Sequence, residues 1–360
     1  TSGDLSLNPI PKKAELYTDL NSNTKYDFGE PYIDIGNDKW DKGESFEDLN
    51  NNGNYDLGEE FTDSGNGFYD NGLNVVLVEI DDESYRLIDE SYPFPRERVW
   101  ARAIRNLALA GAKVIFFDII FDKPDHQTEN IKNYIQNQNI TSVDIKEGDD
   151  LLVEAVNYAA SKGTKVIFSA AQKFEPSRIP PDYLLEPTKG LMDKDNNQRF
   201  GLVNISTDAD GFYRKYGIFY PISGHESVYY TLGINSVLSY LNVNEKPEPI
   251  LDSETGKVTV GPLAIVSYGF GNEFLLNYSG PVSGEYKTFN RFSLSNIIDT
   301  KDYNVGESQY DQDFDEIVYF EDQDWMDKYI DPIMAPIFEA QGFVNPFKGK
   351  IIVIGTSLAE

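Results

Sequence analysis

Two stretches decide the fold: VVLVEIDDES at residues 75–84 and PFPRERVWARAIRNLALAGAKVIFFDIIFDKPD at residues 93–125. Residues 75–80 form a short apolar run that closes on Asp81 and Asp82. A Pro-rich turn follows at Tyr92, Pro93, Phe94 and Pro95. From 97 to 110 the apolar residues return at helical spacing, with Val99, Ala103, Ile104, Leu107 and Ala108 on one face. Gly111 ends that pattern, and KVIFFDII at 113–120 is a second strand. Strand, helix and strand in this order predict a pair of parallel strands joined by a right-handed crossover.

Reading onward, a helix is expected at about 148–161, then Gly163, then a strand at 165–170 (KVIFSA). The intervening 125–146 is polar and rich in Asn and Gln, and reads as an insertion. Shorter, antiparallel strands are expected at 201–205, 212–220, 257–267 and 273–278, with a helix near 227–241. The acidic run 299–328 reads as a surface insertion, and a last apolar strand at 350–354 ends in Gly355, Thr356 and Ser357. The predicted fold class is therefore mixed α/β. It has a mainly parallel sheet flanked by helices, with an antiparallel extension and an irregular N-terminal segment.

Reading back from residue 73, the texture changes to an internal repeat. DLNSNTKYDFGE at 19–30 recurs as DLNNNGNYDLGE at 48–59, an offset of 29 residues. Oxygen-bearing side chains fall at positions 1, 3, 5, 9 and 12 of each loop: Asp19, Asn21, Asn23, Asp27 and Glu30, then Asp48, Asn50, Asn52, Asp56 and Glu59. Lys25 and Asn54 stand at position 7, where a backbone carbonyl serves, and Gly53 stands at the sharp turn. Calcium takes six to eight oxygens, and this spacing wraps one ion. Two shorter, weaker loops carry Asp34, Asp38, Asp41 and Glu44, and then Asp63 and Asp70. No amphipathic helix flanks any loop. The segment resembles dockerin or thrombospondin type-3 calcium loops, in which ions replace a hydrophobic core. Calcium is the expected cofactor, in a structural role. The expected boundary places an acidic calcium-binding segment at 1–72 and an α/β domain at 73–360.

Charge and composition narrow the partners. The 360 residues carry a net charge of −29, of which −11 lies in the first 72. Such a surface repels phosphate backbones and anionic headgroups, so nucleic acid is excluded as a partner. Cysteine is absent, which removes disulfides, thiolate metal sites and cysteine nucleophiles. No apolar run approaches the roughly 20 residues of a membrane span.

The strand and helix sequences quoted at the outset resemble the CHASE sensor domains of type two, extracellular modules of bacterial nucleotide cyclases and protein kinases. Further resemblance lies in GLVN at 201–204, DADGFYR at 208–214, LNYSGP at 276–281 and FKGKIIVIG at 347–355. Tyr92 and Phe94 stand where that family usually carries tryptophan. The resemblance implies an extracytoplasmic location in a bacterial membrane protein, with membrane anchors outside this stretch and a cytoplasmic cyclase or kinase. It also implies a closing segment beyond Glu360, signalling by a change of conformation or dimerisation, and a small-molecule or peptide ligand.

Candidate ligand contacts follow from strand direction, because parallel α/β sheets bind ligands beyond the carboxyl ends of their strands. Asp81 and Asp82 leave the first strand there, and Asp118 and Asp122 leave the second. Arg96, Asn204, Arg214, Thr356 and Ser357 are candidates to join them. Asp81, Arg96 and Asp118 are expected to converge on adjacent strands, either as a ligand site or as a buried ion network. Catalysis is not expected: the sequence has no Gly-x-Ser-x-Gly elbow, phosphate-binding loop or His-Glu-x-x-His. Two other readings stand beside the sensor: a calcium-dependent adhesive or structural surface protein, and an extracellular hydrolase using the aspartates.

Overall fold

A computed structural model describes residues 75–140, 146–185, 187, 191, 199–205, 207–222, 228–243, 247–276, 289–305, 313–314 and 345–356. All the proposed calcium ligands, from Asp19 to Asp70, lie outside the described residues, as does Ser357. The chain divides into two compact units, and the larger comprises Val76–Tyr278, Phe292–Val318 and Asn345–Glu360.

The decisive stretch opens with β1 (Val75–Ile80), whose alternation buries Val76, Val78 and Ile80 completely. Then come α1 (Asp82–Leu87), a π-helical turn over Arg96–Ala101 that runs into α2 (Arg102–Leu109), and β2 (Val114–Phe117). Next are α3 (His126–Asn137), α4 (Gly148–Ser161), β3 (Lys165–Phe174), β4 (Asp182–Leu185) and β5 (Phe200–Leu202). The expected insertion at 125–146 thus contains a helix, α3, which the Asn/Gln-rich composition concealed.

Glycine ends α2 and α4 in the same way. Gly111 and Gly163 adopt positive φ, 77° and 84°. Ala112 N–H then bonds back to Leu107 C=O, and Thr164 N–H to Ala159 C=O, closing the last helical turn in each case. Each turn feeds straight into a strand, β2 or β3, and Thr164 Oγ1 donates to Ala112 C=O at 2.6 Å to link the two.

The main sheet has seven strands in the order β13-β1-β14-β2-β3-β4, with β5 also pairing β3; β13 is Asn290–Ser293 and β14 is Ile351–Thr356. β14 pairs β2 in parallel, β2 pairs β3 in parallel, and β3 pairs β5 in parallel. The last strand of the chain therefore lies between the first two. β4 turns back antiparallel on β3.

Beneath the sheet Trp100, Phe117, Phe121 and Phe168 are fully buried. The Phe117 and Phe168 rings stack at 5.2 Å, and Trp100 and Phe121 meet edge-on. Burying rings of this size supplies much of the apolar area that drives folding. Trp100 Nε1–H is not stranded there, because it donates to Phe94 C=O at 2.9 Å.

The antiparallel extension comprises β6 (Lys215–Gly217), β7 (Phe219–Tyr220), β8 (Tyr229–Tyr230), β9 (Ile250–Asp252), β10 (Lys257–Val260), β11 (Leu263–Val266) and β12 (Glu273–Leu275). Helix α5 (Leu232–Tyr240) packs Ile234 and Leu238 against Ile218, Tyr230, Val258 and Val260. α5 joins this extension to the main sheet, where Asn235 Nδ2 donates to Phe200 C=O at 2.7 Å. A short helix, α6 (Leu294–Ile298), follows β13 and is held to α2 by Asn106 Nδ2 donating to Ile297 C=O.

Candidate functional site

The expected convergence of Asp81, Arg96 and Asp118 does not occur. No hydrogen bond or ion pair joins any two of them among the described residues. The reason is topological: β14 lies between β1 and β2, so the ends of those strands are two strand spacings apart, roughly 10 Å.

Asp81 caps α1. Its Oδ1 accepts from Ser84 N–H, Ser84 Oγ and Ser293 Oγ, each at 2.8 Å. Three donors converge on this one oxygen and tie the end of β1 to β13. Asp82 is exposed in the first turn of α1, where a negative charge complements the helix dipole.

Arg96 is buried in a separate network. Its Nε donates to Asp149 Oδ1 at 3.1 Å, and one terminal nitrogen donates to Lys123 C=O at 2.8 Å. The guanidinium lies 4.3 Å from the centre of the Phe121 ring. Asp125 accepts from Arg96 N–H through Oδ1 and from Thr128 N–H and Oγ1 through Oδ2. Thr128 Oγ1 in turn accepts from Gly148 N–H. A side chain at residue 148 would collide with this carboxylate, 2.5 Å from Asp125 Oδ2. Burial lowers the Arg96 pKa, and Asp149 first, then Asp125 and Asp122, oppose the shift. Asp122 itself is exposed. This cluster fastens the π-helical turn to the starts of α3 and α4.

Two further candidates, Asn204 and Arg214, also have local duties. Asn204 brackets Gln172, accepting from its N–H at 2.7 Å and donating to its C=O at 2.9 Å. Arg214 pairs with Asp208 at 3.1 Å and Asp210 at 2.8 Å, which holds both carboxyls below the usual range. Thr356 is the exposed last residue of β14.

Asp118 is different. It follows β2 directly, and its N–H donates to Ile354 C=O at 2.7 Å, so it sits at the carboxyl edge beside Gly355. Its carboxylate has no hydrogen-bond or ion-pair partner among the described residues. Although it reaches solvent, surrounding protein raises its pKa by desolvation alone. Its negative charge acts on Tyr216, whose pKa is raised first by burial and further by Asp118. The Tyr216 hydroxyl accepts Gly233 N–H at 3.0 Å in the first turn of α5. Thr231, just before α5, is fully buried and donates to Gly217 C=O at 2.7 Å. An unfilled acceptor, a tyrosine hydroxyl and a helix start thus share one sheet edge.

Sequence reasoning named Asp118 but missed Tyr216, Thr231, Asp125 and Asp149. Asp125 and Asp149 had a readable signal, because each stands at or just inside a helix N-terminus. For Tyr216 and Thr231 no local signal exists, since the extension brings them to this edge. Among the described residues no group of His, Asp and Glu is placed to hold a metal ion.

A family model described as the CHASE2 domain matches residues 46–360. The chain belongs to the CHASE2 domain family. CHASE2 domains are extracytoplasmic sensor domains typical of signalling receptors. The match begins within the acidic repeats, ahead of the second long loop, and so overlaps the segment assigned to calcium. Comparison with curated proteins and with solved structures finds no match. Among the described residues, no helix is long and apolar enough to cross a membrane.

Proposed function

We propose that this CHASE2 domain is the ligand-sensing region of a bacterial transmembrane receptor, and that its ligand binds at the carboxyl edge of the parallel sheet around Asp118. The receptor's output is a cytoplasmic nucleotide cyclase or protein kinase. The observation that supports the site is the contrast between two aspartates leaving parallel-sheet strands. Asp81 Oδ1 accepts from three donors, whereas Asp118 has no hydrogen-bond or ion-pair partner among the described residues, and the surrounding protein raises its pKa. Asp118 reaches solvent, so its carboxylate is open to a cationic or hydrogen-bond-donating group of a ligand. The role is binding rather than catalysis. Calcium, held by the 19–70 loops, stiffens the segment that precedes β1.

The test is a thermal-shift screen of this chain against small amines, amino acids and short peptides, with Asp118→Asn as the paired control. A compound that raises the melting temperature of the wild type but not of Asp118→Asn supports the site. It should also change the output of the full-length receptor. Hits that stabilise both proteins equally would place the sensor elsewhere.

A further inference from the structure

β14, β2 and β3 all begin at the amino edge of the parallel sheet, opposite Asp118, and each is entered through a lysine. Lys113 N–H donates to Lys350 C=O at 2.9 Å, and Lys165 N–H to Lys113 C=O at 3.0 Å. Lys350, Lys113 and Lys165 are therefore neighbours on three successive strands, within roughly 10 Å of one another. Each follows a glycine at positive φ: Gly349, Gly111 and Gly163. Lys348 and Lys162 precede two of those glycines and are exposed. The turns 111–113, 162–165 and 348–350 thus hold five lysines and no acid in ten residues. With 31 bases in 360 residues and a net charge of −29, composition alone would put about one base there.

Like charges on neighbouring strands oppose folding. The Lys165 pKa is lowered first by burial and then by Lys113, so the crowding is felt. The end of α4 accounts for Lys162, which caps that helix and complements its dipole. It gives no reason for lysines on both sides of Lys113. Apolar groups stand among these charges. Lys113 Nζ lies 4.4 Å from the centre of the Tyr240 ring, and Lys162 Nζ 5.6 Å from that of Tyr158. Leu241, directly after Tyr240, is 45% exposed, and Leu109, in the last turn of α2, is 40% exposed.

We propose that this edge rests on an anionic lipid bilayer, with its lysines among the phosphate headgroups. The ammonium groups are spread along three strands, and the turns lack the arginine forks that grip a single anion. Tyrosine rings and exposed leucines beside lysines suit the boundary between headgroups and acyl chains, whereas a free phosphate makes no use of them. The net charge of the chain conceals this edge without cancelling it. Beyond about 8 Å exposed charges are screened at physiological salt, so the groups at the contact decide it. The inference rests on the receptor reading only in placing a bilayer beside the domain. The opposite edge, with Asp118, then faces away from the membrane.

The absence of cysteine allows a single fluorescent label. Ser161→Cys, at the exposed end of α4, is compared with Thr356→Cys, at the exposed end of β14 on the opposite edge. The whole chain is tethered by an N-terminal histidine tag to vesicles that carry a quencher-bearing lipid. In phosphatidylcholine mixed with phosphatidylglycerol, the Ser161→Cys label should be quenched several-fold more than the Thr356→Cys label. In phosphatidylcholine alone the two should be equal. Changing Lys113, Lys165 and Lys350 together to Gln should remove the difference, because each lysine near such a surface contributes roughly five-fold to binding. Changing all three to Arg should keep it, and melting curves confirm that both triple variants fold. Equal quenching of the two labels on anionic vesicles would overturn the inference, as would a difference that survives the change to Gln. Millimolar inorganic phosphate abolishing the difference, where sodium chloride of equal ionic strength does not, would assign the edge to a free anion instead. None of these readings needs a ligand at Asp118, so a failure of that site leaves this test standing.

Discussion

Arg96 and Asp149 form an ion pair of 3.1 Å whose side chains are only 10% and 16% exposed, linking the π-helical turn to the first turn of α4. Asp81 and Asp118, the partners that strand direction suggested, take no part. The guanidinium is further held by Lys123 C=O and the Phe121 ring, so Arg96 organises the loop after β2 from inside.

Arg96→Ala should therefore unfold the domain more easily. It takes the buried guanidinium away from Asp149, whose side chain is only 16% exposed, a loss of about 3–5 kcal/mol. Asp149→Ala should cost a similar amount, and the double variant less than the sum of the two. Urea denaturation of the three variants checks this, and strict additivity would show that the pair does not act as a unit.

Asp118 should behave in the opposite sense. Its folded-state pKa is raised, so its charged form is disfavoured by folding. That penalty is present above the folded-state pKa and fades as pH falls through it toward the ordinary carboxylate value. Asp118→Asn should accordingly be more stable than wild type at neutral pH, with the difference closing below about pH 4. Melting curves across pH measure it. The same substitution should abolish ligand response, so greater stability and lost sensing would appear together.

Two glycines separate fold from site. A Cβ at residue 201 would lie 2.5 Å from Leu232 Cα, a backbone atom that cannot move aside. Gly201→Ala should cost about 1–3 kcal/mol and loosen α5 from β5. At Gly355 the nearest atom is Asp118 Cβ, at an ordinary 3.5 Å. Gly355→Ala should leave the melting temperature within a degree or so while weakening ligand binding. Calorimetric melting and the thermal-shift hits distinguish the two outcomes.

Calcium should act on the N-terminal segment alone. Residues 19–70 are expected to bind two or more ions, and chelation should open that segment to protease while the α/β core keeps its melting temperature. Isothermal titration and timed proteolysis, each in calcium and in chelator, provide the measurement. Equal protease resistance in both buffers would argue against the calcium assignment.

Some of this protein is written locally and some is not. The alternation of Val76, Val78 and Ile80, the helical spacing from Val99 to Ala108, and the glycines at 111 and 163 each specify structure through neighbours a few residues away. That is why β1, α2, β2, α4 and β3 were legible from sequence, together with the α/β class. α3 was not, because its Asn and Gln residues carry little apolar period. Helix capping at Asp125 and packing of the starts of α3 and α4 set it in place.

Partner choice belongs to the tertiary structure. Sequence placed Asp81, Arg96 and Asp118 near strand ends, but could not say that β14, arriving from residue 351, would enter between β1 and β2. That insertion separates the two aspartates. It leaves Asp81 to Ser84 and Ser293, and brings Gly355 rather than a side-chain donor beside Asp118. Periodicity and capping act over a few residues and survive in any piece of chain. The order of strands is a property of the whole sheet, and it decided that Asp81 meets Ser293 across the sheet while Asp118 lies beside Gly355.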